Sequence, residues 1–239
     1  MIKFINDEAL IINKKDFGEA DRYITVFTEN FGKLTFLLKG VRKSKKRELN
    51  SIDILSVTKF SFYKKGESYI ISNFNGVEPY LEIKSDLSKL GIALYFIAFL
   101  NSILFENNRK KSLYKITLKS LDFLKSNSDK RENYILIGYY LYYIIKDEGL
   151  KINMSEGENF SFEKSYFVIE KEKYTNKISV EEKKIVEKFI SGKSKEIVKG
   201  NESLEQIKNV VFLFERYINF HLGIDIKLKN YIMEGLEND

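Results

Sequence analysis

The chain of 239 residues carries 40 Lys/Arg and 34 Asp/Glu, one histidine and no cysteine. This composition excludes disulfides, zinc sites built on thiolates, cysteine nucleophiles and metal sites rich in histidine. The positive excess of +6 is confined to residues 1–66, where 14 Lys/Arg stand against 8 Asp/Glu. An excess concentrated in one quarter of the chain favours a polyanion-binding surface there.

Five short strands are predicted in the first 80 residues. Alternating apolar and polar residues place them at residues 8–16, 21–28, 33–39, 52–63 and 68–77. The sequence Glu-Asn-Phe-Gly at residues 29–32 is typical of a hairpin turn, because Asn and Gly tolerate unusual backbone angles. Five strands with no long helix among them predict a small closed barrel of the OB-fold type, whose face and loops commonly bind single-stranded nucleic acid. The only proline, Pro79, predicts a domain boundary at about residue 80.

The later residues show the period of amphipathic helices. Long helices are predicted at residues 86–105, 111–125, 128–148 and 203–221, with a shorter one after Ser179 whose Glu182 completes a capping box. The most apolar runs, residues 90–105 and 134–145, are shorter than the roughly 18 to 20 residues that cross a bilayer, so buried helices are expected instead. Acidic residues near the N-terminus argue against a signal peptide, which predicts a cytoplasmic protein.

The densest basic cluster follows the third predicted strand, where six of the nine residues 39–47 are Lys or Arg. Together with two cations on the neighbouring strands, it predicts phosphate contacts by Lys39, Arg42, Lys43, Lys45, Lys46, Arg47, Arg22 and Lys33. If all six cations of the run contact single-stranded DNA, log K should fall with log[salt] at a slope of roughly −4 to −5. The alternative is a solvated loop that only raises solubility.

Several other residues allow both a functional and a structural interpretation. Glu19 and Asp21 are too few for a metal or acid–base site, and no glycine motif that cradles phosphate is present, so no catalytic residue, cofactor or metal is predicted. His221 is predicted to be structural at the end of the last helix. The barrel aromatics either stack on bases or fill the core: Tyr23, Phe27, Phe36, Phe60, Phe62 and Tyr63.

Three motifs in the N-terminal quarter and one segment near the C-terminus have a distinctive order and spacing. They are Gly-Glu-Ala-Asp-Arg at residues 18–22, Phe-Gly-Lys at residues 31–33 after Thr28, Lys-Gly-Val-Arg at residues 39–42, and residues 216–223. In these features the chain resembles the RecO family of bacterial recombination mediators. The resemblance implies an α+β protein with a five-stranded OB-fold barrel at residues 1–80 and a mainly α-helical domain at residues 81–239.

The segment at residues 150–178 departs from the family pattern. Many members carry a four-cysteine zinc module at this place, whereas this segment has no cysteine. It is therefore predicted to be a β-hairpin insertion that forms without zinc. Its fold would depend on the packing of Phe160, Phe162, Tyr166, Phe167 and Ile169.

The resemblance also implies a function. RecO-like proteins bind single- and double-stranded DNA, anneal complementary strands, and act with RecR to load RecA onto DNA coated by single-strand-binding protein (SSB). They also bind the acidic C-terminal tail of SSB, and basic residues of the helical part would form a cationic rim for it: Lys110, Lys111, Lys115, Lys119, Arg131 and Arg216. By this resemblance the protein is a non-catalytic recombination mediator in DNA repair, cytoplasmic and associated with the nucleoid.

Two alternatives come from other functional classes. One is an RNA-binding or ribosome-associated OB-fold protein with a helical partner domain. The other is a metal-dependent nuclease, for which the sequence shows no cluster of carboxylates at metal-binding spacing. Competition between single-stranded DNA and RNA separates the first alternative from a DNA-binding mediator.

Overall fold

The computed structural model describes residues 3–44, 49–66 and 68–232. The chain divides into two compact units, residues 1–119 and residues 120–239. The first unit therefore extends past the boundary predicted at residue 80 and includes helical residues as well as the strands. Among the described residues, no helix has both the length and the apolar character needed to span a membrane.

The first unit is built on five antiparallel strands, which confirms the predicted number; the fourth strand begins at Val57 rather than at residue 52, which ends a 3-10 helix. They are β1 (Ile5–Phe17), β2 (Asp21–Thr28), β3 (Gly32–Leu38), β4 (Val57–Lys65) and β5 (Ser68–Glu78). Their order in the sheet is β3-β2-β1-β4-β5, an OB-like arrangement. The prediction of a closed barrel is wrong in one respect, because no ladder joins β3 to β5 in the described part of the chain. The opening between these two edges is called the seam below.

Alternation along the strands places one face of the sheet in the core. On β3 the buried side chains occupy every second position, as the pleat of a strand requires, and Ile24 and Val26 of β2 share their face; this face packs against two phenylalanines of β4. The core includes Ile24, Val26, Leu34, Phe36, Leu38, Phe60 and Phe62, each at most 2% exposed. On the opposite face Phe27 is buried against Tyr114, with ring centroids 5.4 Å apart, whereas Tyr23, Thr25, Thr35 and Leu37 stay at least partly open to solvent.

Two short 3-10 helices, Val41–Lys43 and Leu49–Ile52, lie between β3 and β4. After β5 come α1 (Leu81–Lys84), which was not predicted, and α2 (Leu87–Ile103). Asp86 caps α2 as expected, since its side chain accepts a hydrogen bond from the Lys89 amide at 3.0 Å. Helix α3 (Lys111–Ser126) follows a linker at residues 104–110.

This α2–α3 linker is fastened to the tip of the β2–β3 hairpin. The Asn107 amide donates to the Lys33 carbonyl at 3.0 Å, and Arg109 Nε donates to the Glu29 carbonyl at 3.3 Å. Gly32 has φ of +72°, and a Cβ at this position would overlap the backbone carbonyl of Asn108. Glycine is thus required here both by the turn and by the close approach of the linker.

The second unit contains most of the predicted helices. Its elements are α4 (Lys130–Asp147), β6 (Asn159–Ser161), β7 (Tyr166–Val168), β8 (Thr175–Lys177), α5 (Val180–Ile190), α6 (Ser194–Lys199) and α7 (Leu204–Leu222). The predicted capping box is present at the start of α5, where Ser179 and Glu182 each bond to the other's backbone amide. Helix α6 was not predicted.

The insertion at residues 150–178 forms a three-stranded sheet of order β7-β6-β8 rather than a simple hairpin. Phe160 and Phe167 are buried with their ring centroids 5.2 Å apart, and Phe160 also packs on Tyr217 of α7 at 5.3 Å. The Tyr217 hydroxyl donates to the Lys151 carbonyl at 2.8 Å and lies 2.7 Å from Ser165 Oγ. The predicted packing is wrong for Ile169, which follows β7 and is 75% exposed.

His221 contacts the same small sheet. Its Nε2 lies 2.9 Å from the Phe162 carbonyl, and its ring packs edge-on against Tyr217 with centroids 4.5 Å apart. The residue thus helps to attach the small sheet to the last turn of α7, which agrees with the structural role that the sequence indicated.

Candidate nucleic-acid interface

The base of the basic loop is held by the loop between β1 and β2. The Gly40 amide donates to Asp21 Oδ1 at 2.8 Å, and the Arg42 amide donates to the Ala20 carbonyl at 3.0 Å. Arg42 Nη1 also donates to the Gly18 carbonyl at 3.0 Å. The motifs at residues 18–22 and 39–42 therefore contact each other, and we call this set of contacts the clasp.

A single carboxylate completes the clasp. Asp16 Oδ1 accepts from Arg22 Nε at 2.8 Å, and Asp16 Oδ2 lies 3.2 Å from Arg42 Nε. The hydrogen bond from Arg22, with further attraction from Arg42, holds the pKa of Asp16 below its ordinary value. Arg22 and Arg42, both predicted to contact phosphate, thus share the carboxylate of Asp16, which orients both guanidinium groups.

Lys43 is placed more loosely. Its Nζ lies 2.9 Å from Glu19 Oε2, and both side chains are largely exposed. An exposed pair of this kind contributes little to stability and is weakened by salt. Lys43 can therefore exchange its carboxylate for a phosphate at small cost.

Lys33 serves a different purpose from the one predicted for the group. Its Nζ donates to the carbonyls of Asn101 at 3.3 Å and Leu104 at 3.2 Å, both at the C-terminal end of α2. These carbonyls have no partner within the helix, and the negative end of the helix dipole favours a cation there. The ammonium group of Lys33 is thus bound to the C-terminal end of α2.

Lys39 directly follows β3, at the junction of two grooves described below. It is exposed and forms no ion pair with any residue that the structure describes. Three further cations of the predicted set lie outside the described residues: Lys45, Lys46 and Arg47.

The solvent face of β1, β2 and β3 carries aromatic and cationic side chains together. In the register of the sheet Tyr23 lies directly opposite Lys15 on β1 and Leu37 on β3, so the three side chains share one face. Phe17 is 53% exposed and packs edge-on against Tyr23 with ring centroids 5.3 Å apart. We call this surface the β2–β3 face, the position at which OB folds commonly bind nucleic acid.

The barrel aromatics divide between core and surface. Four of the six candidates for base stacking are buried among the strands: Phe27, Phe36, Phe60 and Phe62. Tyr23 and Tyr63 are partly exposed and remain candidates. Tyr23 lies on the β2–β3 face, whereas Tyr63 lies at the seam.

Two grooves meet at Lys39. The seam groove has a volume of about 730 Å³ and lies between residues 37–39 at the end of β3 and residues 70–76 of β5, with Tyr63 and Lys65 at its side. A smaller groove of about 450 Å³ runs over the β2–β3 face past Tyr23 to Tyr69 and Glu106. The lining of the seam groove includes no acidic residue among those described, which suits an anionic ligand.

Comparison with known families identifies the chain. The family model "Recombination protein O N terminal" matches residues 1–80, and "Recombination protein O C terminal" matches residues 84–230. The chain belongs to the RecO family. The resemblance predicted from the motifs is confirmed, and the protein is a member of a DNA repair family.

Two relatives in the RecO family are 32% and 24% identical to this chain over the residues that align. The DNA repair protein RecO of Thermoanaerobacter sp. (strain X514) is 32% identical over 127 residues, 52% of this chain and 51% of the relative. That of Clostridium novyi (strain NT) is 24% identical over 180 residues, 75% of this chain and 66% of the relative. The chain spans about half the length of the first curated relatives it matches.

The zinc module that many RecO-like proteins carry does not fit the residues present here. Its place is occupied by residues 150–178, which include no cysteine. The described residues show no cluster of three or more His, Asp or Glu that could hold a metal. Aromatic rings packed edge-to-face around Phe160 fill the interior of this small sheet.

Several basic residues proposed as a rim for an acidic peptide already have partners. Lys111 and Lys115 lie 2.9 and 3.4 Å from Glu29 Oε1, and their hydrogen bonds hold the pKa of Glu29 below its ordinary value. Arg131 donates to backbone carbonyls of residues 197, 198, 200 and 202, which satisfies the C-terminal end of α6. Arg216 donates to Asn176 Oδ1 at 2.6 Å.

Sequence reasoning missed Lys15 and Tyr69 as members of the interface. Lys15 was overlooked because the argument followed the run of cations after β3, whereas the pairing of β1 with β2 sets Lys15 opposite Tyr23. This register could have been found by aligning the two predicted strands about the loop at residues 18–20. Nothing local in the sequence indicates that Tyr69 of β5 lies near Thr35 and Leu37 of β3.

Proposed function

We propose that this protein is a non-catalytic DNA-binding recombination mediator, and that single-stranded DNA lies across the β2–β3 face. The observation that carries the proposal is the ring pair of exposed Phe17 and partly exposed Tyr23, flanked by Lys15 on one side and by Lys39 on the other. Family membership supports a role in DNA repair.

The chemistry of the face matches an unpaired strand better than a duplex. Aromatic side chains stack on bases only when the bases are exposed, and each such contact is worth about 1–3 kcal/mol. Lys15 and Lys39 lie on the same surface and can each neutralise a phosphate, as can Lys43 at the base of the loop. The cations of the run that lie outside the described residues would add to this electrostatic attraction, which also acts on double-stranded DNA.

We further infer that the protein anneals complementary strands and acts with RecR to load RecA on SSB-coated DNA at the nucleoid. Family membership is the support for these steps and for binding to the SSB tail. Arg131 and Arg216 of the second unit are cations of the kind that an acidic peptide would contact, and each already donates to a partner within that unit.

The proposal is tested by fluorescence anisotropy with labelled oligo(dT). Tyr23→Ala should weaken binding about 5- to 150-fold, the equivalent of a stacking contact. Tyr139→Ala is the control, because Tyr139 is also open to solvent but lies on α4 in the second unit. Equal affinities for the Tyr23 variant and the parent would contradict the proposed face.

Two further measurements address the role and the nucleic acid. Annealing of complementary strands coated with SSB should be slowed by Tyr23→Ala in proportion to the loss of binding. Competition with oligo(rU) of equal length should favour DNA. A clear preference for RNA would support an RNA-binding OB-fold protein instead.

A further inference from the structure

We propose that the seam is a strand-addition site, in which an extended polypeptide segment that ends in an acidic side chain pairs with the edge of β5. The site is separate from the β2–β3 face, although Lys39 borders both. The proposal concerns a protein partner and goes beyond the DNA-binding role.

The first observation is the free edge of β5. This strand is the last in the sheet and pairs with β4 on one side only. In the described part of the chain, residues 70–73 make no backbone hydrogen bond outside that ladder. A row of unpaired amides and carbonyls is a template for another strand.

The second observation is that β5 lacks the usual protection of an edge strand. Exposed edges are normally guarded by charged residues, proline or short length. Strand β5 has 11 residues, and residues 68–77 include neither a charge nor a proline, in a chain that is 31% charged. Register shifts near Ser72 and Val77 bend the strand, and residues 70–76 between and beside them still line the seam groove. Such an edge is expected where pairing is part of function.

The third observation is that the chain itself already places a strand-like segment at one end of the seam. Glu106 forms a parallel bridge with Lys33 of β3, and Thr35 Oγ1 donates to Glu106 Oε1 at 2.9 Å. From the other side, the Tyr69 hydroxyl of β5 donates to Asn107 Oδ1 at 3.2 Å. At this end the space between β3 and β5 admits an extended backbone, and the seam groove lies further along the same edge of β5.

The chemistry of the edge favours a polypeptide over a nucleic acid. A strand edge presents donors and acceptors in alternation, and another polypeptide strand matches both, whereas a phosphodiester backbone offers acceptors only. Lys39 and Lys65 line the groove without an ion pair to any described residue, and they supply charge complementarity for a carboxylate. Residues 70–76 span about 23 Å when extended, enough for a partner segment of about seven residues.

Hydrogen exchange with a designed peptide tests the proposal. The probe is the capped peptide Asp-Thr-Val-Thr-Val-Thr-Val-Asp at millimolar concentration, and the readout is exchange of the amides of residues 70–76 in the full chain. At ten times its Kd the peptide should slow the outward-facing amides about tenfold. Two control peptides carry N-methyl groups on alternate residues, so that each lacks the N–H donors along one of its two edges. At least one of these peptides should give no protection.

Charge and site are separated by variants. Changing both Lys39 and Lys65 to Gln should abolish the preference for the Asp-ended peptide over an Asn-ended one while leaving some protection. Tyr23→Ala should weaken DNA binding as stated above and keep peptide binding, so that failure here is distinguishable from failure of the DNA-binding face. The proposal is overturned if no amide of residues 70–76 is slowed, if both methylated peptides protect as well as the parent, or if oligo(dT) alone protects these amides.

Discussion

Substitution by glutamine is expected to have different effects at Lys33 and Lys39, the two lysines at the ends of β3: the first should lower stability and the second should weaken DNA binding. Lys33 donates to two carbonyls at the end of α2, at 3.3 and 3.2 Å. A hydrogen bond from a charged donor contributes about 1.5–3 kcal/mol, and these two are long, so Lys33→Gln should lower the free energy of unfolding by about 1–3 kcal/mol in total. Its effect on the salt dependence of DNA binding should be negligible, because the cation already has partners.

Lys39→Gln should leave stability within about 0.5 kcal/mol of the parent, since the side chain is exposed. It should remove one phosphate contact and reduce the slope of log K against log[salt] by about 0.7. Between 50 and 200 mM salt, a fourfold change, the variant should therefore lose about 2.6-fold less affinity than the parent.

Urea denaturation followed by circular dichroism measures the first quantity, and anisotropy with oligo(dT) at four salt concentrations measures the second. The two variants carry the same change of charge, so each is the control for the other. A reduced slope for Lys33→Gln without loss of stability would refute the assignment of Lys33 to the end of α2. An unchanged slope for Lys39→Gln would remove Lys39 from the interface.

Three further substitutions test other parts of the structure. The pKa of Asp16 in the folded protein lies below its ordinary 3.8, so the carboxylate stabilises the fold above that pH and loses this effect as the pH falls below it. The melting temperature of Asp16→Asn should therefore be lower than that of the parent at pH 7 and approach it at pH 3. A difference that does not change with pH would argue against the clasp. Gly32→Ala should cost more than about 2 kcal/mol in urea titrations, because of both its positive φ and the overlap with Asn108, and a neutral result would contradict the packed linker. Tyr217→Phe removes the hydrogen bond to the Lys151 carbonyl and should cost about 0.5–1.5 kcal/mol, with faster exchange in β6 and β7 as the check; unchanged exchange would count against this anchor.

Much of the fold was predictable because it depends on local patterns. Alternation located all five strands of the first unit, and capping residues such as Asp86, Ser179 and Ser203 marked the starts of helices. The short helices α1 and α6 were missed, since four and six residues give too little period to detect. The strand pattern could not predict that the barrel stays open between β3 and β5. One end of this seam is occupied by the α2–α3 linker, which lies some 70 residues after β3 in the sequence.

The candidate site was less predictable, because the sequence displays cations without the groups that pair with them. Arg22 and Arg42 share Asp16 through the register of β1 and β2, and Lys33 meets the end of a helix that lies 68 residues further along. The position of Lys15 follows from cross-strand pairing. A count of basic residues therefore predicts the sign of the surface, whereas three-dimensional pairing decides which cations are available to phosphate.

The fastening of the α2–α3 linker has a consequence for how the first unit opens. Lys33 bonds the linker through its carbonyl and the end of α2 through its side chain, while Arg109 bonds the turn at Glu29. The same few hydrogen bonds therefore hold the hairpin tip, the last turn of α2 and the linker. Separating any one of these segments breaks bonds of the other two. These three segments should open as one cooperative unit, and their amides should share a common free energy of exposure to solvent.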